Sequence, residues 1–155
     1  MVITTFAAGC FWGIEAQFRQ LEGILATRVG YMGGHIDAPN YKLVCTGTTG
    51  HAEVVEVTYD PDIISFSELL DHFWRMHNPT TLNRQGPDIG SQYRSAIFYH
   101  TLQQQETAKK SRQALTEARY YPDPIVTEIT KATTFWSAED YHQCYLEKKG
   151  LGACH

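Results

Sequence analysis

The sequence lacks a long hydrophobic run, an excess of positive charge and a secretion signal, and each absence excludes a class of protein. A membrane-spanning helix needs ~20 consecutive apolar residues, and no stretch of the chain approaches that length. The 13 Lys and Arg residues are outnumbered by 17 Asp and Glu, so we expect no nucleic-acid-binding surface. The N-terminus has no basic segment followed by an apolar stretch and a cleavage site, so we expect a cytoplasmic protein.

Closely spaced pairs of cysteines are also missing. The four cysteines are Cys10, Cys45, Cys144 and Cys154, and none belongs to a C-x-x-C pair. Structural zinc sites are usually built from such pairs, so no metal is expected, although a site assembled from distant His and Cys residues stays open. In a reducing compartment these cysteines would not form a structural set of disulfides.

The length and composition predict one globular domain. The chain has 155 residues, of which 43% are hydrophobic and 12% aromatic, which is enough for a full core. No internal repeat or linker divides it. We therefore predict a single domain over residues 1–155, in which the glycine-rich residues 150–155 form a flexible tail. Nothing in the sequence demands a partner chain, so we expect a monomer.

The chain is organised around a cysteine at a predicted junction between a strand and a helix. Residues Val2–Phe6 are β-branched or aromatic and predict a strand, and apolar residues recur at helical spacing after Cys10. The free N–H groups at the start of a helix favour a thiolate, so Cys10 is a candidate nucleophile. Phe11 and Trp12 place apolar surface beside the sulfur, which suits an apolar, electrophilic substrate. The alternative is a small buried cysteine that packs under the helix.

A carboxyl group falls on the apolar face of the clearest predicted strand, at residues 51–59. Alternation along the strand places Glu53 on the same side as Val55 and Val57. A carboxyl group that points into an apolar face must be either paired or protonated. Glu53 is therefore a candidate functional residue, unless it lies at a solvated end of the strand.

The order of the predicted elements indicates the fold class. The first six run strand, helix, strand, strand, helix and strand, which is the split β-α-β plan of ferredoxin-like folds. We predict an α+β, two-layer sandwich with a mixed, mainly antiparallel sheet, helices against one face, and a C-terminal extension of a helix, a strand and a helix. The elements predicted after the first helix are a strand at 25–31, a helical turn at 41–45, a strand at 51–59, a helix from Phe66 that Asn78 and Pro79 end, a strand at 95–99, a surface helix at 102–118, a strand at 125–130 and a last helix at 138–149 that Ser137 caps.

A long loop and the tail supply further candidate residues. The loop before the fourth predicted strand contains Asp88 and Tyr93, which are either substrate contacts or merely turn residues. Cys154 lies on the glycine-rich tail, from which it could reach a distant thiol. A thiol redox enzyme needs such a second thiol, whereas a cysteine hydrolase or acyltransferase needs a histidine base, for which His51 and His142 are candidates. A peptide-binding module with an aromatic pocket is the non-enzymatic alternative.

Six segments spread over essentially the whole chain are more specific than any single motif. They are GCFWG at 9–13, GYMGG at 30–34, YKLVC at 41–45, TGHAEVV at 49–55, DIGSQYRS at 88–95 and AEDYHQ at 138–143. In this order they resemble the signature segments of the peptide methionine sulfoxide reductase A family. The resemblance implies a ferredoxin-like α/β sandwich that reduces the S epimer of methionine sulfoxide, free or within proteins, and so repairs proteins after oxidative stress.

The resemblance also implies a role for each candidate residue. Cys10 would attack the sulfoxide sulfur and Glu53 would protonate the departing oxygen, while Tyr41 and Tyr93 would donate hydrogen bonds to it. Sulfoxide oxygen leaves poorly unless it is protonated, so burial would have to raise the pKa of Glu53 well above ~4.3. The implied substrate contacts are Phe11 and Trp12 for the methyl group, and Asp88 and His142 for the main chain.

The remaining thiols divide into one with an implied role and two without. Cys10 would become a sulfenic acid, Cys154 would condense with it to form a disulfide, and thioredoxin would reduce that disulfide without any cofactor. Many relatives carry a further cysteine beyond this resolving one, but the chain stops at His155, so we expect no such relay. We expect Cys144 to be a helix-packing thiol and Cys45 to be buried.

Overall fold

A six-stranded sheet lies at the centre of the protein, which a computed structural model describes over residues 1–149. The predicted tail at 150–155, with Cys154, lies outside the described residues. The strands are β1 (Val2–Ala8), β2 (Ile24–Met32), β3 (Ala52–Tyr59), β4 (Arg84–Gln85), β5 (Asp88–Ile89), β6 (Ser95–Tyr99), β7 (Glu128–Lys131) and β8 (Trp136–Ser137), and the helices are α1 (Phe11–Arg19), α2 (Tyr41–Val44), α3 (Phe66–Met76), α4 (Leu102–Glu117) and α5 (Tyr145–Lys148).

The strands follow one another across the sheet in the order β7-β6-β1-β3-β2-β8, and β4 and β5 form a separate hairpin. The pairings in the large sheet are antiparallel except for that of β6 with β7, which is parallel. The predicted α+β class with a mixed, mainly antiparallel sheet is thereby confirmed. Because Phe6 pairs with Val55, the chain leaves β1 beside the start of β3.

Both faces of the central strands are buried. Val55 and Val57 belong to the larger hydrophobic cluster, in which the sheet packs against α1 and α3. Ala52 and Val54 point to the other side and belong to a smaller cluster, against which Phe135 packs. The side of β3 that carries Glu53 is therefore the side covered by the helices.

Phe6 joins the two helices on that side to the middle of the sheet. Its ring stacks on Phe18 of α1, with centroids 5.1 Å apart, and on Phe73 of α3 at 4.9 Å. A capping box begins α3, because Ser65 and Glu68 exchange hydrogen bonds between side chain and backbone. The stack fixes α1, and hence the residue at its start, against β1.

The predicted last helix at 138–149 is wrong. Ser137 lies in β8, where it pairs with Gly30, residues 140–142 form a single 3₁₀ turn, and helix resumes at α5. Cys144 interrupts any longer helix because its φ of +51° is left-handed. Hydrogen bonds from side chains to other elements fix this segment, and a helical pattern in the sequence does not reveal them.

Two other predicted regions differ in detail. The strand predicted at 125–130 is β7, which begins three positions later, at Glu128, and pairs with β6 in parallel. The loop between α3 and β6 contains the β4–β5 hairpin and a 3₁₀ turn at Ser91–Tyr93.

No helix within residues 1–149 combines the length and the apolar character that crossing a membrane requires.

Replacing Phe6 with alanine is expected to lower the free energy of unfolding by about 3–5 kcal/mol, because the cavity removes contacts with both helices. Denaturant unfolding of the purified variant measures this loss. Ile3→Ala is the matched control on the same strand, since 41% of the Ile3 surface is exposed, and its loss should stay below about 1 kcal/mol. Equal stability of the two variants would contradict the central position of the Phe6 ring.

Candidate active site

Cys10 lies at the junction of β1 and α1, as the sequence predicts. It is the N-cap residue of α1, and Gly9 before it makes the turn with a φ of +103°, which favours glycine. The backbone N–H groups of Trp12 and Gly13 lie near its sulfur and favour the thiolate form. The residue is partly exposed, so a substrate can reach the thiol.

The Cys10 thiol is protonated at neutral pH, which corrects the expectation of a thiolate. Burial, followed by the negative charge of Glu53, raises its pKa from 9.0 to about 11. The N–H groups of the first helical turn lower the pKa, as expected, but they do not outweigh these two effects. A neighbouring group must therefore take up the thiol proton when the sulfur reacts.

Glu53 is buried beside the segment that carries Cys10. Its exposed fraction is 1%, and its Oε1 accepts the backbone N–H of Phe11 at 3.2 Å. Its Oε2 has no hydrogen-bond partner within residues 1–149. Burial raises the pKa of Glu53 from 4.5 to about 8, the Phe11 N–H lowers it, and the charge of Asp88 adds to the rise. The Glu53 carboxyl therefore carries a proton at neutral pH.

Tyr41, Tyr93 and Asp88 come from three different parts of the chain and lie close to this carboxyl. Tyr41 opens α2, Tyr93 ends the 3₁₀ turn, and Asp88 lies in β5. Burial and then the charge of Glu53 raise the pKa of Tyr93 to about 12. Burial, the Cys45 side chain and the charge of Glu53 also raise the pKa of Tyr41. Both phenols keep their protons and can donate hydrogen bonds to an oxygen held near Glu53.

Aromatic rings form a wall beside the thiol. Trp12 stacks on Tyr145 of α5 with centroids 3.9 Å apart, and its Nε1–H donates to Nδ1 of His142 at 2.9 Å. The His142 ring lies 5.3 Å from the Phe11 ring and 4.4 Å from the Tyr41 ring. Contacts on two sides therefore hold Trp12 in one orientation.

Within residues 1–149, neither histidine suggested for a hydrolase is placed as a free base. Nδ1 of His51 accepts the Gly34 N–H at 3.0 Å and its Nε2 donates to the Ile36 carbonyl at 2.7 Å, so the ring holds the loop after β2. His142 accepts the Trp12 N–H through Nδ1, so its own proton is on Nε2. Burial lowers the pKa of His142, so the ring is neutral. Its Nε2–H can donate a hydrogen bond, but Nε2 cannot act as a base.

The same combination of residues and fold occurs in known proteins. The family model for peptide methionine sulfoxide reductase matches residues 3–155. A protein of Methanothermobacter thermautotrophicus named peptide methionine sulfoxide reductase MsrA is 60% identical over 151 residues, which span 97% of this chain and 89% of that protein. The chain belongs to the peptide methionine sulfoxide reductase family. The family predicted from the six segments is thereby confirmed.

Solved structures match this methionine sulfoxide reductase over nearly its whole length. Mxr1 from Saccharomyces cerevisiae in its reduced form gives a TM-score of 0.91 at 40% identity, covering 99% of this chain and 88% of that one. The yeast protein in complex with Trx2 gives a TM-score of 0.66 at 27% identity, covering 93% and 84%. Each match therefore covers more than nine-tenths of this chain.

Two residues of the reductase site were missed by the sequence reasoning because they lie in the wrongly predicted last helix. Glu139 accepts the Tyr31 hydroxyl at 3.0 Å and the Tyr41 backbone N–H at 3.1 Å. Tyr145 provides the ring that stacks on Trp12. Glu139 falls within the AEDYHQ segment, so the resemblance marks its region without assigning it a role.

The thiols other than Cys10 are placed differently from one another. Cys45 is exposed, although it was expected to be buried, because its neighbour Val44 fills the core position at the end of α2. Cys144 is half-buried at the start of α5, and burial raises its pKa. Across residues 1–149, no three His, Cys, Asp or Glu side chains are grouped as metal ligands would be.

Proposed function

We propose that this protein reduces the S epimer of methionine sulfoxide, free or within oxidised proteins, and so acts in protein repair. The observation that carries the proposal is a protonated carboxyl, that of Glu53, beside the Cys10 thiol and an aromatic wall. Family membership gives the class of reaction, and these two residues supply a nucleophilic sulfur and a proton donor. The proposed cycle uses thiols alone and no cofactor.

In the first step, the Cys10 sulfur attacks the sulfoxide sulfur while Glu53 gives its proton to the sulfoxide oxygen. The ionised Glu53 then takes up the thiol proton, so the carboxyl returns to its starting state. The attack forms a bond between the two sulfurs, and this bond breaks as the hydroxyl group passes from the sulfoxide sulfur to the Cys10 sulfur. The sulfoxide sulfur gains two electrons and leaves as methionine, while the Cys10 sulfur loses two electrons and becomes a sulfenic acid. Burial of Glu53 supports this role, because a carboxyl with an ordinary pKa would already be ionised near neutral pH.

Two phenols assist this proton transfer. Tyr41 and Tyr93 donate hydrogen bonds to the sulfoxide oxygen as negative charge develops on it. Their raised pKa values support the assignment, since each phenol keeps the proton that it needs as a donor.

The substrate is held by apolar and polar contacts on different sides. Phe11 and Trp12 bind the methyl group of the sulfoxide against the aromatic wall. His142 donates from Nε2, a buried atom that has no partner within residues 1–149, to the substrate main chain. Asp88 accepts from the substrate main chain, and its charge acts on Cys10, which supports a position beside the thiol.

Cys154 completes the cycle. Its thiol condenses with the Cys10 sulfenic acid, which releases water and forms a Cys10–Cys154 disulfide that thioredoxin reduces by thiol–disulfide exchange. The complex of yeast Mxr1 with Trx2 supports thioredoxin as the reductant. The stack of Tyr145 on Trp12 places α5 in contact with the first turn of α1, which Cys10 caps.

We include in the proposal a ferredoxin-like architecture and a single catalytic domain over residues 1–155 that works as a cytoplasmic monomer. β3 lies between β1 and β2, which α1 connects, and β1 lies between β3 and β6, which α3 connects. Two such split β-α-β units support the ferredoxin-like description. The match of the family model to residues 3–155 supports a single domain.

Incubating the reduced protein with racemic methionine sulfoxide tests the proposed function. Without a reductant, we expect two thiols lost per methionine formed, and with excess thioredoxin, consumption of half the racemate. Cys154→Ser should form one methionine per protein and then stall with thioredoxin, whereas the matched Cys144→Ser variant should continue. Continued full-rate turnover by Cys154→Ser would move the resolving role to Cys144 or Cys45, and an unchanged racemate would refute the function.

Glu53→Gln is expected to slow methionine formation in the first turnover by about 100-fold or more, because the amide fills the same space but has no acidic proton to transfer. Rapid-quench measurement of methionine in a single turnover gives this rate constant. Glu56→Gln is the matched control on the opposite side of β3, where Glu56 pairs with Arg28 at 3.0 Å, and it should react at the wild-type rate. A wild-type rate for Glu53→Gln would show that Glu53 is not the acid.

A further inference from the structure

Glu139 is a second carboxyl group near the reacting residues, and the proposed reaction steps do not use it. It lies between β8 and the 3₁₀ turn at residues 140–142 and is half-buried. Burial raises its pKa, but hydrogen bonds from its own backbone N–H, from Tyr41 and from Tyr31 prevail and lower it. Glu139 is therefore ionised at neutral pH, in contrast to Glu53.

Both carboxylate oxygens of Glu139 accept hydrogen bonds from other elements. Oε1 accepts the Tyr31 hydroxyl at 3.0 Å, and Oε2 accepts the Tyr41 backbone N–H at 3.1 Å and the Tyr141 hydroxyl at 3.3 Å. Tyr31 lies on β2 and Tyr41 begins α2, so one side chain joins the strand to the helix across the intervening loop. The Tyr41 N–H is one of the first-turn groups that a helix cannot satisfy by itself.

The strand end of this connection is directly opposite the proton donor. Tyr31 on β2 pairs with Glu53 on β3, and Cβ atoms of directly opposed residues are about 4.5–5.5 Å apart. The Tyr31 side chain is fully buried and in contact with Phe11, at 5.8 Å between ring centroids. Tyr31 therefore cannot shift without disturbing the core, and Glu139 is held at a fixed distance from the Glu53 strand.

The helix end of the connection carries the Tyr41 phenol, whose pKa is raised by burial and, in part, by the charge of Glu53. The Tyr41 ring packs on His142 at 4.4 Å, and the backbone N–H of His142 donates to the Glu139 carbonyl at 2.9 Å. The backbone and the ring of Tyr41 are thus both held by the short segment that contains Glu139. A change at Glu139 would release α2 from β2 and displace the phenol.

We propose that Glu139 is a positioning residue that fixes the Tyr41 phenol relative to Glu53 by bonding the Tyr41 backbone and the Tyr31 hydroxyl at once. It acts through Tyr41 rather than on the substrate. The proposal rests on the proposed function, in which Tyr41 donates a hydrogen bond to the sulfoxide oxygen. Misplacement of a catalytic contact by about 1 Å can cost about 100-fold in rate, so the effect should be measurable.

A double-mutant cycle between Glu139→Ala and Tyr41→Phe tests the proposal. In the first turnover, Glu139→Ala should lower the rate constant of methionine formation by about tenfold or more when Tyr41 is present. When Tyr41 has been replaced by phenylalanine, the same change should cost about twofold or less, because the phenol through which Glu139 acts is absent. Glu139→Gln keeps one oxygen acceptor and should recover part of the rate.

The amplitude of the first turnover separates a positioning role from a structural one. A structural defect lowers the fraction of protein that reacts, whereas displacement of the phenol leaves one methionine per protein and lowers the rate constant. Glu147→Gln is the matched control, because Glu147 is an acidic residue of the same C-terminal segment that pairs with Arg19 at the surface, and it should keep both rate and amplitude.

Equal losses from Glu139→Ala with and without the Tyr41 hydroxyl would overturn the proposal. A lowered amplitude at an unchanged rate constant would overturn it too, in favour of a structural role. If Glu139→Ala does not fold, the same cycle with Glu139→Gln decides between these outcomes. Failure of the wild-type protein to reduce methionine sulfoxide would instead refute the proposed function, so the two failures are distinguishable.

Discussion

The site depends on the burial of one carboxyl group in an apolar part of the sheet. Glu53 lies on the side of β3 that packs against the helices. Its Oε1 accepts one hydrogen bond, from the Phe11 N–H. A carboxylate that accepts two or three N–H groups becomes a strong acid, whereas one bond in apolar surroundings leaves the proton in place. The fold thus holds a proton where the proposed reaction consumes one.

The same apolar surroundings keep the neighbouring thiol and phenol groups in their protonated forms. Burial is the largest cause of the raised pKa of Cys10, Tyr41 and Tyr93. Two hydrogen-bond donors, one acid and one thiol therefore surround the place where we propose that the sulfoxide binds. The chemistry follows from this arrangement, since the proton that leaves Glu53 can be replaced by the proton that leaves the thiol.

The segment after β8 covers one side of the site, and side-chain hydrogen bonds to the backbone hold it there. The Gln143 side chain donates to the Val29 carbonyl and accepts the Val29 N–H, both at 2.9 Å, as a neighbouring strand would. Glu15 accepts the Cys144 N–H at 2.7 Å. These bonds place Tyr145 on Trp12.

Local patterns in the sequence predict the parts of the molecule that local forces determine. The alternation around Glu53 and the strand–helix junction at Cys10 are of this kind, and both agree with the structure. The conformation at Cys144 depends instead on Glu15, which is distant in sequence, so a helical pattern misplaced the last helix. The ionisation of Cys10 likewise depends on burial and on Glu53, which the helix-terminus argument alone does not include.

Infrared spectroscopy of the Glu53 carboxyl tests the central claim most directly. A protonated carboxyl gives a carbonyl band that an ionised one lacks, and the band that is present in the wild-type protein and absent in Glu53→Gln belongs to this residue. The account predicts that this band is present at neutral pH and disappears as the pH rises through about 8. A Glu53 that is already ionised at neutral pH, with a pKa near its ordinary 4.5, would contradict it.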